Sequence, residues 1–117
     1  MKSPAAQSVL AASLNDPDEM VKWNAAFGLA SKGNIAAWDV LARLLDKEYV
    51  DRVTQLMSKE GRPLAENVQR YRAAAVMWVA KLDPSKATPL LEKMSTSETD
   101  LQVRNAAIQQ LNSLRHK

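Results

Sequence analysis

The sequence predicts an all-α fold in which pairs of helices stack side by side. Two kinds of helical segment alternate along the chain, and matching segments recur after 31 residues (Ala5 and Ala36) and after 32 residues (Tyr71 and Val103). No stretch alternates β-branched or aromatic residues with polar ones for the length of a strand. One pair of helices cannot bury both of its faces, so repeats of this length share a core with their neighbours. The 117 residues therefore indicate a single domain, 1–117.

The first-type helices share the pattern Val-(Lys/Arg)-x-x-Ala-x-x-x-Leu. It occupies 21–29 and 103–111, and an aspartate, Asp18 or Asp100, stands three residues before each valine. A third copy, 71–79, begins with tyrosine in place of the valine. These segments are the most regular part of the sequence and define the repeat.

Helical spacing places four positions of the first-type pattern on one stripe, which we expect to face the core. In the first copy the stripe consists of Val21, Ala25, Gly28 and Leu29. Small residues at these positions, including Ala75 and Ala107, let neighbouring helices approach closely. Trp78 aligns with the glycine and is expected in the core. Trp23 lies off the stripe and is expected either to be exposed or to pack on the first helix.

The second-type helices lie between the first-type ones, at 5–14, 36–45 and 86–94. Together with the first type and one additional segment, they complete a chain of seven helices. The predicted helices are 4–14, 17–32, 35–46, 48–59, 64–82, 84–95 and 98–115.

Residues at the predicted helix ends have the chemistry that caps require. Pro17 and Pro84 stand at first helical positions, each directly after an aspartate that can accept the free N–H groups of the first turn. Gly33 and Gly61 suit helix C-termini. The expected N-cap residues are Asp16, Asn34, Asp83 and Ser97.

An additional segment interrupts the repeat in its middle. From Val21 to Tyr71 is 50 residues, about 18 more than one period. The excess lies at about 47–63 and carries apolar residues at helical spacing, which predicts an inserted amphipathic helix rather than a loop. These apolar residues are Tyr49, Val50, Val53, Leu56 and Met57.

The motif Asp-x-x-Val-(Arg/Lys)-x-x-Ala-x-x-x-Leu at 18–29 and 100–111 resembles HEAT-like repeats, particularly those first named from phycobilisome lyases. The middle copy departs from it, with Val68 and Tyr71 in place of aspartate and valine. The resemblance covers nearly the whole chain except 47–63. It implies a right-handed α-α superhelix, a short HEAT-like solenoid of about six or seven helices, whose second-type helices line the concave face. It also implies a protein- or peptide-binding scaffold more readily than any single activity.

Composition excludes several classes of function. There are no cysteines, so disulfides and thiolate metal sites are excluded. No stretch approaches the ~20 apolar residues of a membrane span, and no signal peptide is evident, so we expect a cytoplasmic protein without a membrane partner. His116 is the only histidine, and no glycine-rich phosphate loop or nucleophile motif is present. We therefore expect a non-enzymatic protein that needs no metal or cofactor.

The candidate protein-binding site is centred on Trp38, with Asp39, Arg43 and Glu92 nearby. Trp38 stands at a repeat position that is polar in the other copies, and tryptophan is enriched among interface anchors. The inserted helix follows directly and is expected to wall one side of a groove. An equally good interpretation makes Trp38 the floor beneath that inserted helix.

Two other functions stay open. The first is nucleic-acid or phosphate binding through Arg62, Arg70 and Arg72, because the segment 62–81 has a basic excess. The net charge of +3 is well mixed in sign, which does not favour this alternative. The second is a lyase-like or enzyme-associated module acting on a bound chromophore or substrate. Asp39 and Glu66 would be its first candidate carboxylates.

Three basic residues, Lys22, Arg72 and Arg104, occupy the same repeat position. They form either a ladder for an acidic partner or pairs within the repeats. We favour pairing with Asp18 and Asp100, since each base lies one helical turn from its aspartate.

Overall fold

The computed structural model describes residues 4–59 and 65–115. Within these ranges it contains no strand, which confirms the predicted all-α class. The described residues form seven α-helices and one 3-10 turn. They are α1 (Pro4–Ser13), α2 (Glu19–Ala30), a 3-10 turn (Ile35–Ala37), α3 (Trp38–Leu44), α4 (Lys47–Lys59), α5 (Ala65–Leu82), α6 (Pro84–Ser97) and α7 (Leu101–Arg115).

Helices of the two types contact one another. Each second-type helix contacts a first-type helix, giving the pairs α1 with α2, α3 with α5, and α6 with α7. The first-type helices also contact one another in chain order, α2 with α5 and α5 with α7. The inserted helix α4 contacts α3. The right-handed superhelical path stays a prediction.

Three of the predicted helix-end residues act as expected. The Asp83 carboxylate accepts the N–H of Lys86 at the start of α6, at 3.1 Å, directly before Pro84. The Asn34 side chain accepts the N–H of Ala36 at 2.9 Å. Gly33 follows α2 with a φ of +72°, a conformation that glycine adopts without steric cost. Gly61 lies outside the described residues.

Two helices begin later than predicted. The Asp16 carboxylate accepts the N–H of Asp18, and Asp18 itself caps α2 by accepting the N–H of Met20. Ser97 does not cap α7, because its hydroxyl donates to the carbonyl of Lys93 at the end of α6. The carboxylate of Asp100 caps α7, and residue 98 is thereby left between the two helices.

The alanine positions of the predicted stripe are confirmed as core. Ala25, Ala75 and Ala107 are all buried. A Cβ added to Gly28 would lie 3.1 Å from a Leu10 methyl, so α1 and α2 pack closely at the glycine. The prediction for Val21 is wrong, since 38% of this residue is exposed. Helix α2 is rotated so that a bulkier neighbour on the same helix turns inward instead.

That neighbour is Trp23, which is fully buried. Its ring lies 5.3 Å from that of Tyr71 on α5, and its indole Nε1 donates to the hydroxyl of Tyr49 on α4 at 3.2 Å. Trp23 therefore joins α2 to α4 and α5, which neither expectation for this residue anticipated. Trp78 packs against the core but is only partly buried, with the Lys81 ammonium over its ring.

The structure forms a helix, α4, in the segment predicted to be inserted, but only part of the apolar face of this helix is covered. Val50 and Val53 are buried and Tyr49 is partly buried. Leu56, expected on the same apolar face, is 60% exposed. The side chain of Met57 is not among those described. Within the described ranges no helix combines the length and the apolarity that a membrane span requires.

Candidate functional site: a groove between α3 and α6

A depression among the described residues lies between α3 and α6 and is closed at one end by the start of α4. Its volume is about 530 Å³. Four apolar residues line it, two from the end of α3 and its continuation and two from α6. They are Ala42, Leu45, Leu90 and Met94. Leu45 and Met94 are buried and form its floor, whereas Ala42 and Leu90 are partly exposed.

Charged and polar side chains complete the lining of this α3–α6 groove. Asp46 precedes α4, Lys47 and Glu48 begin α4, and Lys93 lies on α6. All four are exposed. The exposed Ser97 and the buried Glu98 lie at the end of α6. The groove thus has an apolar floor and a charged rim of both signs.

Helices α3 and α6 lie side by side in the same direction. At their N-terminal ends the ammonium of Lys86 lies over the ring of Trp38, 5.6 Å from its centroid. At their C-terminal ends Leu45 and Met94 share the groove floor. The two helices therefore approach each other at Trp38 and Lys86 and border the same groove at Leu45 and Met94.

The four residues of the predicted Trp38 site do not form one site in the structure. Trp38 is partly buried and contacts α6 through Lys86. Asp39 and Arg43 are exposed and line a smaller depression, about 330 Å³, which faces α1 and α2. The Glu92 carboxylate binds Arg115 of α7 at 3.3 Å. Of the four residues, only Asp39 and Arg43 are brought together.

Arg72, placed in the nucleic-acid alternative, is not a surface residue. Its side chain is 6% exposed and its guanidinium forms a two-point ion pair with Glu98, at 2.6 and 2.9 Å. It also donates to the carbonyls of Leu44 and Leu45 at the end of α3. A phosphate could reach Arg72 only by displacing a buried carboxylate, so this expectation was wrong. A charged pattern in the sequence does not reveal a partner that lies 26 residues away.

Around this ion pair, polar groups are mutually satisfied. The Glu98 carboxylate also accepts the N–H of Asp100, and the Asp100 carboxylate accepts from the Gln69 amide at 3.0 Å. Burial is the largest influence on the pKa of Glu98 and raises it. The hydrogen bonds from Arg72 and from the N–H of Asp100, with the positive charge of Arg72, together outweigh burial and hold that pKa below its ordinary value. Burial also acts to raise the pKa of Asp100, which its hydrogen bonds from Val103, Gln69 and Gln102 lower.

The three bases of the repeat position have three different sets of partners. Lys22 forms an ion pair with Glu19 at 3.4 Å, and the guanidinium of Arg104 donates to the carbonyl of Ser95. Arg72 binds the buried glutamate. The expected pairing with aspartates does not describe Arg72, because its ion pair is with Glu98.

An aromatic cluster fills the space between α2, α4 and α5. The Tyr49 hydroxyl accepts from Trp23 and donates to a Glu19 carboxylate oxygen. Burial, together with this bond to Glu19, raises the pKa of Tyr49 to about 12. Tyr49 is therefore a neutral structural hydroxyl at neutral pH, not a base.

A second open depression lies on the first-type helices. It is lined by Phe27, Arg70, Tyr71 and Ala74, with a volume of about 420 Å³. The Phe27 and Tyr71 rings stack 5.5 Å apart. Arg70 is exposed here, as the nucleic-acid alternative requires. Arg62 lies outside the described residues. Of the three arginines of the nucleic-acid alternative, Arg70 is therefore the one described at the surface.

The described residues bring together no group of three or more His, Asp or Glu side chains that could hold a metal ion. Asp39, a candidate carboxylate of the enzyme alternative, is exposed on α3. The side chain of Glu66 is not among those described.

The sequence reasoning missed the groove residues Ala42, Leu90 and Lys93. Ala42 and Leu90 have the spacing of ordinary core residues, and Lys93 is one of several lysines on α6. The available signal lay on α6, where Lys86, Leu90, Lys93 and Ser97 follow the helical period and therefore share one face.

Comparison of the chain with protein-family models, curated proteins and solved structures finds no match.

Proposed function

We propose that this chain is a non-enzymatic scaffold that binds a protein or peptide segment in the α3–α6 groove. One observation carries the proposal: α3 and α6 border a groove of about 530 Å³ with an apolar floor and an exposed charged rim. Binding sites of several hundred Å³ that combine apolar surface with a few polar groups are typical of ligand recognition.

The groove suits a peptide better than a small molecule. The partly exposed Leu90 and Ala42 offer apolar contact to side chains arriving from solvent. The surface belongs to the second-type helices, which the HEAT-like resemblance makes the concave face. The inserted α4 closes one end, as its position in the sequence leads us to expect.

The other two functions have less support. Nucleic-acid binding has less support because Arg72 is engaged in a buried ion pair with Glu98. The exposed carboxylates of Asp46 and Glu48 at the groove rim also oppose a phosphate backbone. For a lyase-like module, the described carboxylate Asp39 lines the smaller depression together with Lys22 and Arg43, and no second carboxylate lies among the residues that line it.

The test is selection of random 12-residue peptides against the immobilised chain, followed by measurement of peptide affinity for two matched variants. Ala42→Arg places a long side chain in the groove and should weaken binding of the selected peptides at least tenfold. Ala12→Arg makes the same change at an exposed position of α1 and should leave affinity unchanged.

Both arginine variants should melt at nearly the same temperature as the unaltered chain, since neither alanine is buried. If the selected peptides bind Ala42→Arg as tightly as they bind Ala12→Arg, the groove is not the binding site. If the selection enriches no peptide, the scaffold proposal is wrong for short segments.

A further inference from the structure

The rim of the groove carries two exposed charges of opposite sign that the protein does not pair. Lys93 stands on α6, and Glu48 stands at the start of α4. Across the described residues, neither takes part in an ion pair. Neighbouring charges are engaged differently: Lys47 pairs with Asp51, and Glu98 pairs with Arg72. Lys93 and Glu48 are therefore the rim charges that a ligand meets.

The acidic side of the groove is fixed by the start of α4. Asp46 accepts the N–H groups of Glu48 and Tyr49, so its carboxylate serves as the helix cap. Glu48 lies in the first turn, where the helix dipole favours a negative charge. Its carboxylate is left without a side-chain partner in the part of the chain described.

The basic side runs along α6. Lys86 precedes Lys93 by seven residues and so lies on the same face of the helix, about 10 Å away along its axis. Lys86 is held over the ring of Trp38. Leu90 stands between the two lysines and contributes to the groove lining. A positive wall with an apolar centre thus faces α3.

From this arrangement we infer that the ligand is a peptide segment with bulky apolar residues between an acidic side chain and a basic side chain. The apolar residues contact Leu90 and the floor at Leu45 and Met94, the acidic residue meets Lys93, and the basic residue meets Glu48. The inference rests on the proposed function and adds the chemistry and the orientation of the partner. Charges of both signs favour such a segment over a uniformly charged polymer, because either sign alone would meet repulsion at one side.

The experiment is peptide selection against three proteins: the unaltered chain, Lys93→Glu and Glu48→Lys. The unaltered chain should enrich peptides with one acidic and one basic position flanking apolar residues. Lys93→Glu should lose the preference for the acidic position and keep the basic one, and Glu48→Lys should do the reverse. Matching melting temperatures show that both variants are folded, since both side chains are exposed.

A charge swap sharpens the test. Lys93→Glu should weaken binding of the best unaltered peptide about fivefold, the scale of losing one exposed attraction and gaining one repulsion. Replacing the acidic residue of that peptide by lysine should restore most of the loss. The matched control is Lys81→Glu, an exposed lysine of α5 outside the groove lining, which should change affinity by less than twofold.

The outcomes separate the two proposals. If peptides bind, Ala42→Arg blocks them, and the charge variants select the same sequences as the unaltered chain, the inference about ligand charge is overturned while the groove remains the site. If Ala42→Arg does not weaken binding, the proposed function fails and the inference fails with it.

Discussion

The two sides of Glu98 differ in their exposure to solvent. Glu98 forms the buried ion pair with Arg72, and it also lines the end of the α3–α6 groove. On the Arg72 side, which we call the seam, arginine and carboxylate are enclosed and joined to the carbonyls of Leu44 and Leu45. Among the described residues no buried side-chain nitrogen or oxygen lacks a partner. On the groove side, charged and apolar groups remain open to solvent.

This difference in burial predicts whether a substitution should change stability or binding. A buried, fully hydrogen-bonded pair is costly to break because the remaining partner keeps its desolvated charge. An exposed charge on a helix contributes little to stability and is free to contribute to recognition. Substitutions in the seam should therefore destabilise the protein, and substitutions of exposed groove residues should alter binding alone.

The largest effect is expected from Arg72→Ala. It leaves Glu98 buried without its cation and frees two carbonyls at the end of α3. We expect a loss of about 3–5 kcal/mol in the free energy of unfolding, measured by urea denaturation. Lys22→Ala is the matched control at the same repeat position, and its partly exposed pair with Glu19 should be worth less than about 1 kcal/mol. Equal losses for the two variants would contradict the distinction between seam and surface.

Two of the three tryptophans, Trp23 and Trp38, form the next comparison. Trp23 is fully buried, so Trp23→Ala should lower the free energy of unfolding by about 3–5 kcal/mol. Trp38 is only partly buried beside Lys86, so Trp38→Ala should cost about 1–2 kcal/mol. Chemical denaturation of both variants measures the difference. A larger loss for Trp38 would show that it lies beneath a packed layer, as its alternative interpretation held.

Acidification should weaken the seam in a defined pH range. Because the pKa of Glu98 lies below its ordinary value of 4.5 in the folded state, the folded protein binds fewer protons than the unfolded chain in this range. Stability is then present above pH 4.5 and declines as the pH falls through the lowered pKa. Urea denaturation from pH 6 to pH 3 measures this decline. Glu98→Gln should flatten it, although Asp100 retains a contribution of the same sign.

The smallest stability effect is expected on the groove rim. Lys93→Ala removes an exposed side chain that forms no ion pair within the described ranges, so the free energy of unfolding should change by less than about 0.5 kcal/mol. Thermal denaturation is sufficient to check this. A loss comparable to that of Arg72→Ala would place Lys93 in the structural framework and remove the basis for assigning it to recognition.

The helices and their small-residue core were predictable because they depend on local signals. Capping by Asp83 and Asn34 follows from side chains adjacent to free N–H groups, and burial of Ala75 and Ala107 follows from period and size. The position of α4 was predictable because the spacing from Val21 to Tyr71 is longer than one repeat, and the excess residues have helical spacing of apolar side chains.

The interactions between repeats were not predictable in the same way. Period alone does not fix how α2 is rotated, so Val21 was expected inside and Trp23 was not. The partner of Arg72 comes from a connection 26 residues away, which no helical spacing indicates. The groove depends on the register between α3 and α6, and residues such as Ala42 have the same sequence pattern as core positions. For the same reason the predicted site was centred on Trp38, which is conspicuous in the sequence, and not on the residues that line the groove.

The most direct measurement of the central claim is a nuclear magnetic resonance titration of the isotopically labelled chain with a selected peptide. We predict the largest amide shift changes at groove positions of α3 and α6, with little change on the first-type helices. The groove reporters are Ala42, Leu45, Leu90, Lys93 and Met94. Largest changes at Phe27, Arg70, Tyr71 and Ala74, which line the open depression between α2 and α5, would contradict the account and place binding on the first-type helices instead.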